Sequence, residues 1–274
     1  MSLTAIVLTK NEERNIGDCL AALSFSDELL VVDSGSTDKT REIARSCGAS
    51  VIEHPMKDFA DQRNFAMEQA KGDWVLFVDA DERVTPELAD EIKNALRERS
   101  SVSDNLRGVI PEARNLTAES EQSCPADPAA ILCVYAIPRR TYFFGRPLFF
   151  CDARGDAPIR LLPRWYVSWT QPVHEKIRTD LPCRSLKNLL FHYSTRDLDH
   201  YREKVAAYIP LELEAMRKKG RRPSLAKVLF VPPAKFVQLY FWKLGVLDGV
   251  AGFQYAILSA YYTFVKHWRY WRHE

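Results

Sequence analysis

The six cysteines, Cys19, Cys47, Cys124, Cys133, Cys151 and Cys183, include no Cys-x-x-Cys pair and no zinc-ligand spacing. This argues against a zinc site or a dithiol redox centre and leaves reduced, mostly buried small apolar residues. No G-x-G-x-x-G and no G-K-[ST] follows the first apolar run, which argues against a dinucleotide fold or a P-loop. The start, Met1 to Leu8, lacks the basic n-region of a secretory signal, so a cytosolic start is expected. Neither sign of charge dominates, the net value being +2, and no nucleic-acid recognition motif accompanies the basic residues. Nucleic acid is therefore not an expected partner.

What is present is a globular composition: 274 residues, 46% hydrophobic and 11% aromatic. The small net charge hides an asymmetry. Residues 201–274 hold thirteen Lys and Arg against five Asp and Glu, leaving twenty-five against thirty-one in residues 1–200. A basic tail of this kind favours an anionic partner, such as a membrane surface.

Four apolar runs, Ala5 to Leu8, Leu29 to Val32, Ser50 to Glu53 and Trp74 to Val78, read as strands. Helices fall between them: one with Ile16, Cys19, Leu20 and Leu23 on its apolar face, one through Ile43, Ala44 and Cys47, and one holding Gln62-Arg63-Asn64. Strands alternating with helices describe a parallel α/β unit whose polar strand ends line one edge, where such folds bind ligands. Those ends are Thr9 to Glu12, Asp33 to Ser36 and Asp79-Ala80-Asp81. The Asp-x-Asp pair offers hard oxygen ligands for Mg²⁺ or Mn²⁺ with room for nucleotide phosphates. Asp33 can accept hydrogen bonds from a base or ribose, while Arg63 faces the phosphates. The structural alternative is that Asp79, Asp81 and Glu82 form a solvated turn before a helix capped by Thr85, and that Asp33 and Ser36 cap a helix.

Four strings in order, Leu8-Thr9-Lys10-Asn11-Glu12-Glu13, Val31-Val32-Asp33-Ser34-Gly35-Ser36-Thr37-Asp38, Gln62-Arg63-Asn64 and Phe77-Val78-Asp79-Ala80-Asp81-Glu82-Arg83, resemble the successive signatures of family 2 glycosyltransferases. More narrowly they resemble the bacterial lipopolysaccharide or lipooligosaccharide core β-1,4-glucosyltransferase branch. The resemblance implies a GT-A fold with a mostly parallel central sheet, a UDP-sugar donor such as UDP-glucose, inversion at the anomeric carbon, and a divalent metal at Asp79 and Asp81. It also suggests base and ribose contacts from Thr9, Asn11, Glu12 and Asp33, with Arg63 near the diphosphate; Ser36, on the same strand end as Asp33, is a further cofactor-binding candidate.

A helix from Thr85 carries Leu88, Ile92 and Leu96 inward and is expected to end at Arg97-Glu98-Arg99. Residues 100–131 lose periodicity and read as an irregular insertion, longer than most ordered connections. Ile131 to Ile137 resumes as a strand, and Pro138 to Arg146 and Pro172-Val173-His174-Glu175 again resemble the branch. The stretch Phe149 to Asp156 departs from it. An inverting transfer needs a group that takes the proton of the incoming hydroxyl. Glu175 is the first candidate and Asp156 the second, the alternative for Glu175 being an ion pair with Arg160 or Arg164. His174 would orient the base or touch the donor phosphate, and His192 is a candidate third metal ligand, or else a hydrogen-bonded core residue.

These readings divide the chain into a catalytic region, 1–195, and a C-terminal basic, aromatic helical region, 196–274. In the latter a helix through Tyr201, Val205 and Tyr208 contains Pro210, and a final helical segment is expected over Val246 to Val265. That segment has the length of a membrane span, but Asp248 and Gln254 inside it favour helices lying in the interface, with Trp, Tyr, Lys and Arg at headgroup level. The alternative is packing on the catalytic region or on another subunit. The expected function is hexosyl transfer to a lipopolysaccharide-core or related glycolipid at the cytoplasmic face of the inner membrane. Of the rivals, a sugar-phosphate nucleotidyltransferase needs a Gly- and Arg-rich loop where Thr9 to Glu13 stands, and a catalytically silent membrane adaptor leaves the intact Asp-x-Asp unexplained.

Overall fold

The computed structural model describes residues 1–104, 132–170 and 176–272. Two compact units form, one from Met1–Pro138 and Ala157–Leu190, the other from Arg139–Asp156 and Phe191–Glu274. Residues 139–156 thus leave the first unit in mid-sequence and gather with the C-terminal helices.

The first unit is built on strands β1 (Leu3–Thr9), β2 (Glu28–Asp33), β3 (Ser50–Glu53), β4 (Trp74–Asp79), β6 (Val134–Ala136), β9 (Ile159–Pro163) and β12 (Cys183–Ser185). They pair in the order β12-β6-β9-β4-β1-β2-β3. Strands β4, β1, β2 and β3 run parallel, joined by helices α1 (Ile16–Ala22), α2 (Thr40–Ser46) and α3 (Phe59–Gln69), and β9 is antiparallel to both its neighbours. This is the mostly parallel α/β sheet that the alternating runs imply.

Successive side chains of a strand point to opposite faces, and the core divides accordingly. Ala5, Val7, Trp74, Leu76 and Val78 join Ile16, Leu20, Leu88 and Ile92 on one face, whereas Ile6, Val75 and Phe77 join Ala66, Met67 and Trp169 on the other. Burial on both faces is why β1 and β4 read as unbroken apolar runs. Gly72, before β4, is packed so closely that a Cβ there would lie 2.6 Å from the Thr4 nitrogen.

A short strand β5 (Glu82–Val84) precedes helix α4 (Pro86–Asp104), and Thr85 Oγ1 accepts from Leu88 N at 3.2 Å, the cap expected of it. The helix runs on to Asp104, past the expected stop at Arg99, so part of the expected 100–131 insertion is helical. Apolar periodicity faded before the helix ended; helical polar residues give no such signal. Residues 105–131 lie outside the described residues. The first unit also holds the hairpin of β10 (Ser168–Thr170) and β11 (Lys176–Arg178).

In the second unit β13 (Leu190–Thr195), β7 (Arg139–Phe143) and β8 (Arg146–Pro147) pair in that order. Helix α5 (Leu198–Lys218) begins where Asp197 accepts from His200 N at 2.8 Å, and it contains Pro210. Helix α6 (Leu225–Val237) continues into a π turn, Gln238–Trp242, and a 3-10 turn, Gly245–Asp248, precedes helix α7 (Gly249–Arg272). The final α-helix therefore starts at Gly249, whose φ of +58° interrupts the segment expected from Val246. A Cβ at Gly252 would come 1.9 Å from the Gly245 carbonyl oxygen, so the close approach of α7 to this turn requires glycine.

Phe236, Tyr240 and Phe253 interlock between α6 and α7. Segment 149–152 is tied to the same helices: Asp248 accepts from Phe149 N and Phe150 N at 3.0 Å each, and Asp152 is held by Lys243 and, at 3.5 Å, by Lys235. Among the described residues no helix is long and apolar enough to cross a membrane.

Candidate active site

Strand register brings the polar ends together: Thr9 stands opposite Asp33 and Leu8 opposite Asp79. Thr9 is buried, and among the described residues its hydroxyl has no hydrogen-bond partner. Beyond it the chain turns through Asn11 at φ +56°, a left-handed conformation that asparagine tolerates better than most side chains. Asn11 Oδ1 accepts from Thr37 N, and Asn11 N donates to Ser36 Oγ, each at 2.8 Å.

Asp33 is fully buried; its carboxylate accepts from Gly35 N at 3.0 Å, Ser36 N at 2.8 Å and the Ser36 hydroxyl. Asp33 and Ser36 thus fold the loop ahead of α2 and tie it to the loop after β1, while Asp38 accepts from Thr40 N at the helix start. Half-buried Glu12 accepts from Asn15 Nδ2 at 2.6 Å, and its backbone N donates to Thr40 Oγ1 at 2.8 Å.

At the end of β4 the acidic cluster is not a solvated turn. Glu82 is fully buried and accepts from Asp79 N at 2.9 Å. Arg160, on β9 and 5% exposed, donates through Nη2 to Asp79 Oδ2 at 2.5 Å and to Glu82 Oε1 at 2.8 Å, and through Nη1 to Asp79 Oδ1 at 3.3 Å. Burial on its own would lower the Arg160 pKa, but the charges of Asp79 and Glu82 outweigh it and raise the value. Arg63 reaches the same carboxylate: its guanidinium is 3.9 Å from Asp79 and lies over the rings of Trp169, at 4.6 Å, and Phe77, at 5.0 Å. Asn64 locks this arrangement by exchanging hydrogen bonds with the backbone of Trp169.

A fold-edge cluster of this kind acquires meaning from its relatives. The profile of glycosyl transferase family 2 matches residues 4–150, which takes in β2 to β4, nearly all of β1, and Asp79 to Glu82. The chain belongs to glycosyl transferase family 2. It is 28% identical, over 97% of this chain and 93% of the relative, to the lipopolysaccharide core biosynthesis glycosyltransferase LpsC of Rhizobium meliloti. It is 24% identical, over 96% and 85%, to the uncharacterized glycosyltransferase RT0209 of Rickettsia typhi. Glucosyl-3-phosphoglycerate synthase of Mycobacterium tuberculosis, solved with Mn²⁺, UDP and glucosyl-3-phosphoglycerate, matches with 29% identity and a TM-score of 0.28 over 30% of this chain and 34% of that one. The chain thus spans about a third of the length of that solved structure.

For a family 2 member the donor set at the strand end is chemically suited to Mg²⁺ or Mn²⁺, which take hard oxygen ligands and commonly keep water and phosphate in the rest of the shell. Asp79 shares its carboxylate with Arg160, and half-buried Asp81 stands two residues on. Among the described residues no group of three or more His, Cys, Asp or Glu side chains gathers as a metal-binding set.

His174 and Glu175 lie outside the described residues. Asp156 and His192 belong to the second unit, where Asp156 accepts from Arg139 Nε at 2.7 Å and His192 Nδ1 is 3.4 Å from Thr141 Oγ1. Arg160, weighed only as an ion-pair partner for Glu175, is paired with Asp79 and Glu82. A signal for it existed, because an arginine within the apolar run Ile159-Arg160-Leu161-Leu162 is rarely buried unless paired. Nothing local marks Trp169, which reaches Arg63 from more than a hundred residues away in sequence.

Proposed function

We propose that this family 2 glycosyltransferase transfers a hexose, with glucose the expected sugar, from a UDP-sugar to a lipopolysaccharide-core or related glycolipid, with inversion at the anomeric carbon. The observation that carries the reading is the convergence of Thr9, Arg63 and the Asp79-x-Asp81 pair at one sheet edge. A buried hydroxyl without a partner among the described residues and a stacked guanidinium 3.9 Å from the Asp79 carboxylate suit a nucleotide diphosphate.

In this proposal Thr9, Asn11, Glu12, Asp33 and Ser36 shape the base and ribose side. Arg63 steadies the diphosphate, assisted by His174. Asp79 and Asp81 would hold a divalent ion, which would neutralise charge on the departing diphosphate. Glu175 or Asp156 takes the proton of the acceptor hydroxyl as its oxygen bonds to the anomeric carbon, and the broken bond's electrons leave with UDP. The full-length likeness to LpsC supports the acceptor class. Exposed apolar and aromatic side chains on α6 and in the turns before α7, Phe230 at 71%, Trp242 at 83% and Leu247 at 64%, support peripheral attachment to the inner-membrane surface.

Thermal unfolding with a panel of nucleotides and UDP-sugars, with Mn²⁺ and then chelator, tests the donor assignment. At a hundredfold excess over Kd a ligand of the folded state adds about 2.7 kcal/mol. The expected result is stabilisation by UDP and one UDP-sugar that requires the metal and is lost in Asp81→Asn. Unchanged metal-dependent affinity in that variant would reject Asp81 as a ligand.

A further inference from the structure

Helix α6 lacks the polar outer face that an amphipathic surface helix keeps toward water. Leu229, Phe230 and Val231 are all exposed, although successive residues of a helix point about 100° apart, so α6 shows apolar side chains over more than half of its circumference. The pattern continues through the connection and along α7: from Val228 to Trp268 every exposed residue is apolar, aromatic or glycine, except Gln238. On α7 the exposed Val250, Phe253, Ile257, Tyr261, Phe264 and Trp268 recur every three or four residues as one stripe.

The charges within that span are answered inside the unit. Lys235 and Lys243 share Asp152, Asp248 accepts from Phe149 N and Phe150 N at 3.0 Å each, and Lys266 pairs with Glu212 at 2.7 Å. Burial, together with the charges of Lys266 and Lys227, holds His267 below the usual histidine value, so it is neutral at neutral pH. The connection also satisfies much of its own backbone. Lys243 N donates to the Gln238 carbonyl at 2.8 Å, Leu244 N to Phe241 at 3.1 Å and Leu247 N to Leu244 at 2.9 Å, while the Lys243 carbonyl accepts from Cys151 N at 3.0 Å. Irregular backbone is tolerated at membrane depth only where its polar groups are paired within the protein. Exposed cations return on either side of the span, as Arg221, Arg222 and Lys227 before it and Arg269 and Arg272 after it. The Tyr270 hydroxyl donates to the Arg221 carbonyl, which brings these two groups to the same end of the helix pair.

We propose that α6 and its connection to α7 are immersed in the acyl chains of one leaflet of a phospholipid bilayer, with the cations flanking the span at the headgroups. Immersion rests on the membrane attachment proposed above and sets its depth. With 13 residues α6 is about 20 Å long, against about 15 Å for the hydrocarbon of one leaflet, so it lies oblique within a leaflet and does not cross. A second copy of the chain could cover only one side of α6, whereas acyl chains surround it.

The full chain is floated with vesicles of phosphatidylcholine and phosphatidylglycerol that carry a photoactivatable diazirine either at mid-chain or on the headgroup, and the labelled residues are mapped by mass spectrometry. Mid-chain label within 229–247 and headgroup label at 221–227 and 269–272 are expected. A chain that floats without mid-chain label on 229–247 keeps surface attachment and overturns immersion; a chain that does not float overturns both. Leu229→Glu and Val231→Glu place a charge on sides of α6 about 200° apart, at positions exposed in the folded chain. Each should weaken vesicle partition in high salt by at least about tenfold, because a charge in hydrocarbon is costly on either side. A helix lying at the surface would tolerate one of the two, which overturns the proposal. Circular dichroism checks the fold, and Phe230→Glu serves where a variant does not fold. UDP stabilisation of the lipid-free chain reports on the transferase reading separately.

Discussion

Arg160 shows how one side chain can set the state of a strand end. It is charged and 5% exposed, and it bridges Asp79, 39% exposed at the site, and Glu82, wholly buried behind it. Removing one partner of a buried ion pair strands charge in low dielectric and typically costs about 3–5 kcal/mol. Arg160→Met retains most of the volume without the charge, so urea unfolding should report a loss of that order. Arg160→Lys should recover part of it, because an ammonium keeps the charge but cannot repeat the fork that spans two carboxylates. A stability within 1 kcal/mol of the parent for Arg160→Met, taking 1 kcal/mol as roughly the worth of an exposed pair, would show that Arg160 does not hold this cluster.

Among the elements, the α6 and α7 pair depends on a polar tie that titrates. Burial works against ionisation of Asp152, but the hydrogen bond from Lys243 and the charges of Lys235 and Lys243 outweigh it and hold the carboxyl below the ordinary aspartate value. A depressed folded pKa contributes stability that is complete above the unfolded value of about 3.9 and is lost as pH falls through the folded one. Asp152→Asn should therefore lower the Tm at neutral pH, and its gap from the parent should close as pH falls below about 4. A gap that persisted in acid would assign the effect to packing.

The same elements show what could be read from sequence. Strands β1, β2 and β4 were legible because burial on both faces leaves an unbroken apolar run, and the Asp-x-Asp position followed from where such a run stops. The end of α4 and the start of α7 were not, because one rests on polar helical residues and the other on a glycine's positive φ. Arg160 and Trp169 entered the site through strand pairing and a long-range backbone lock, contacts that local periodicity does not encode.

At the scale of the whole chain the charges are divided: the first 200 residues are net acidic and the last 74 net basic. Basic groups near an anionic bilayer contribute about 1 kcal/mol each and fade within a Debye length, whereas inserted aromatic side chains do not depend on salt. The second unit carries both, with Trp242 83% exposed and Lys and Arg distributed along α5 to α7. The full chain should therefore float with vesicles containing phosphatidylglycerol, bind less as salt rises, and retain a salt-resistant fraction that Trp242→Ser/Phe230→Ser removes. The two terms separate because the double serine variant leaves every charge in place, so its salt dependence should persist while its plateau at high salt vanishes. Binding abolished by salt in the parent would leave electrostatics alone, and binding indifferent to lipid charge would remove the basic residues from the attachment.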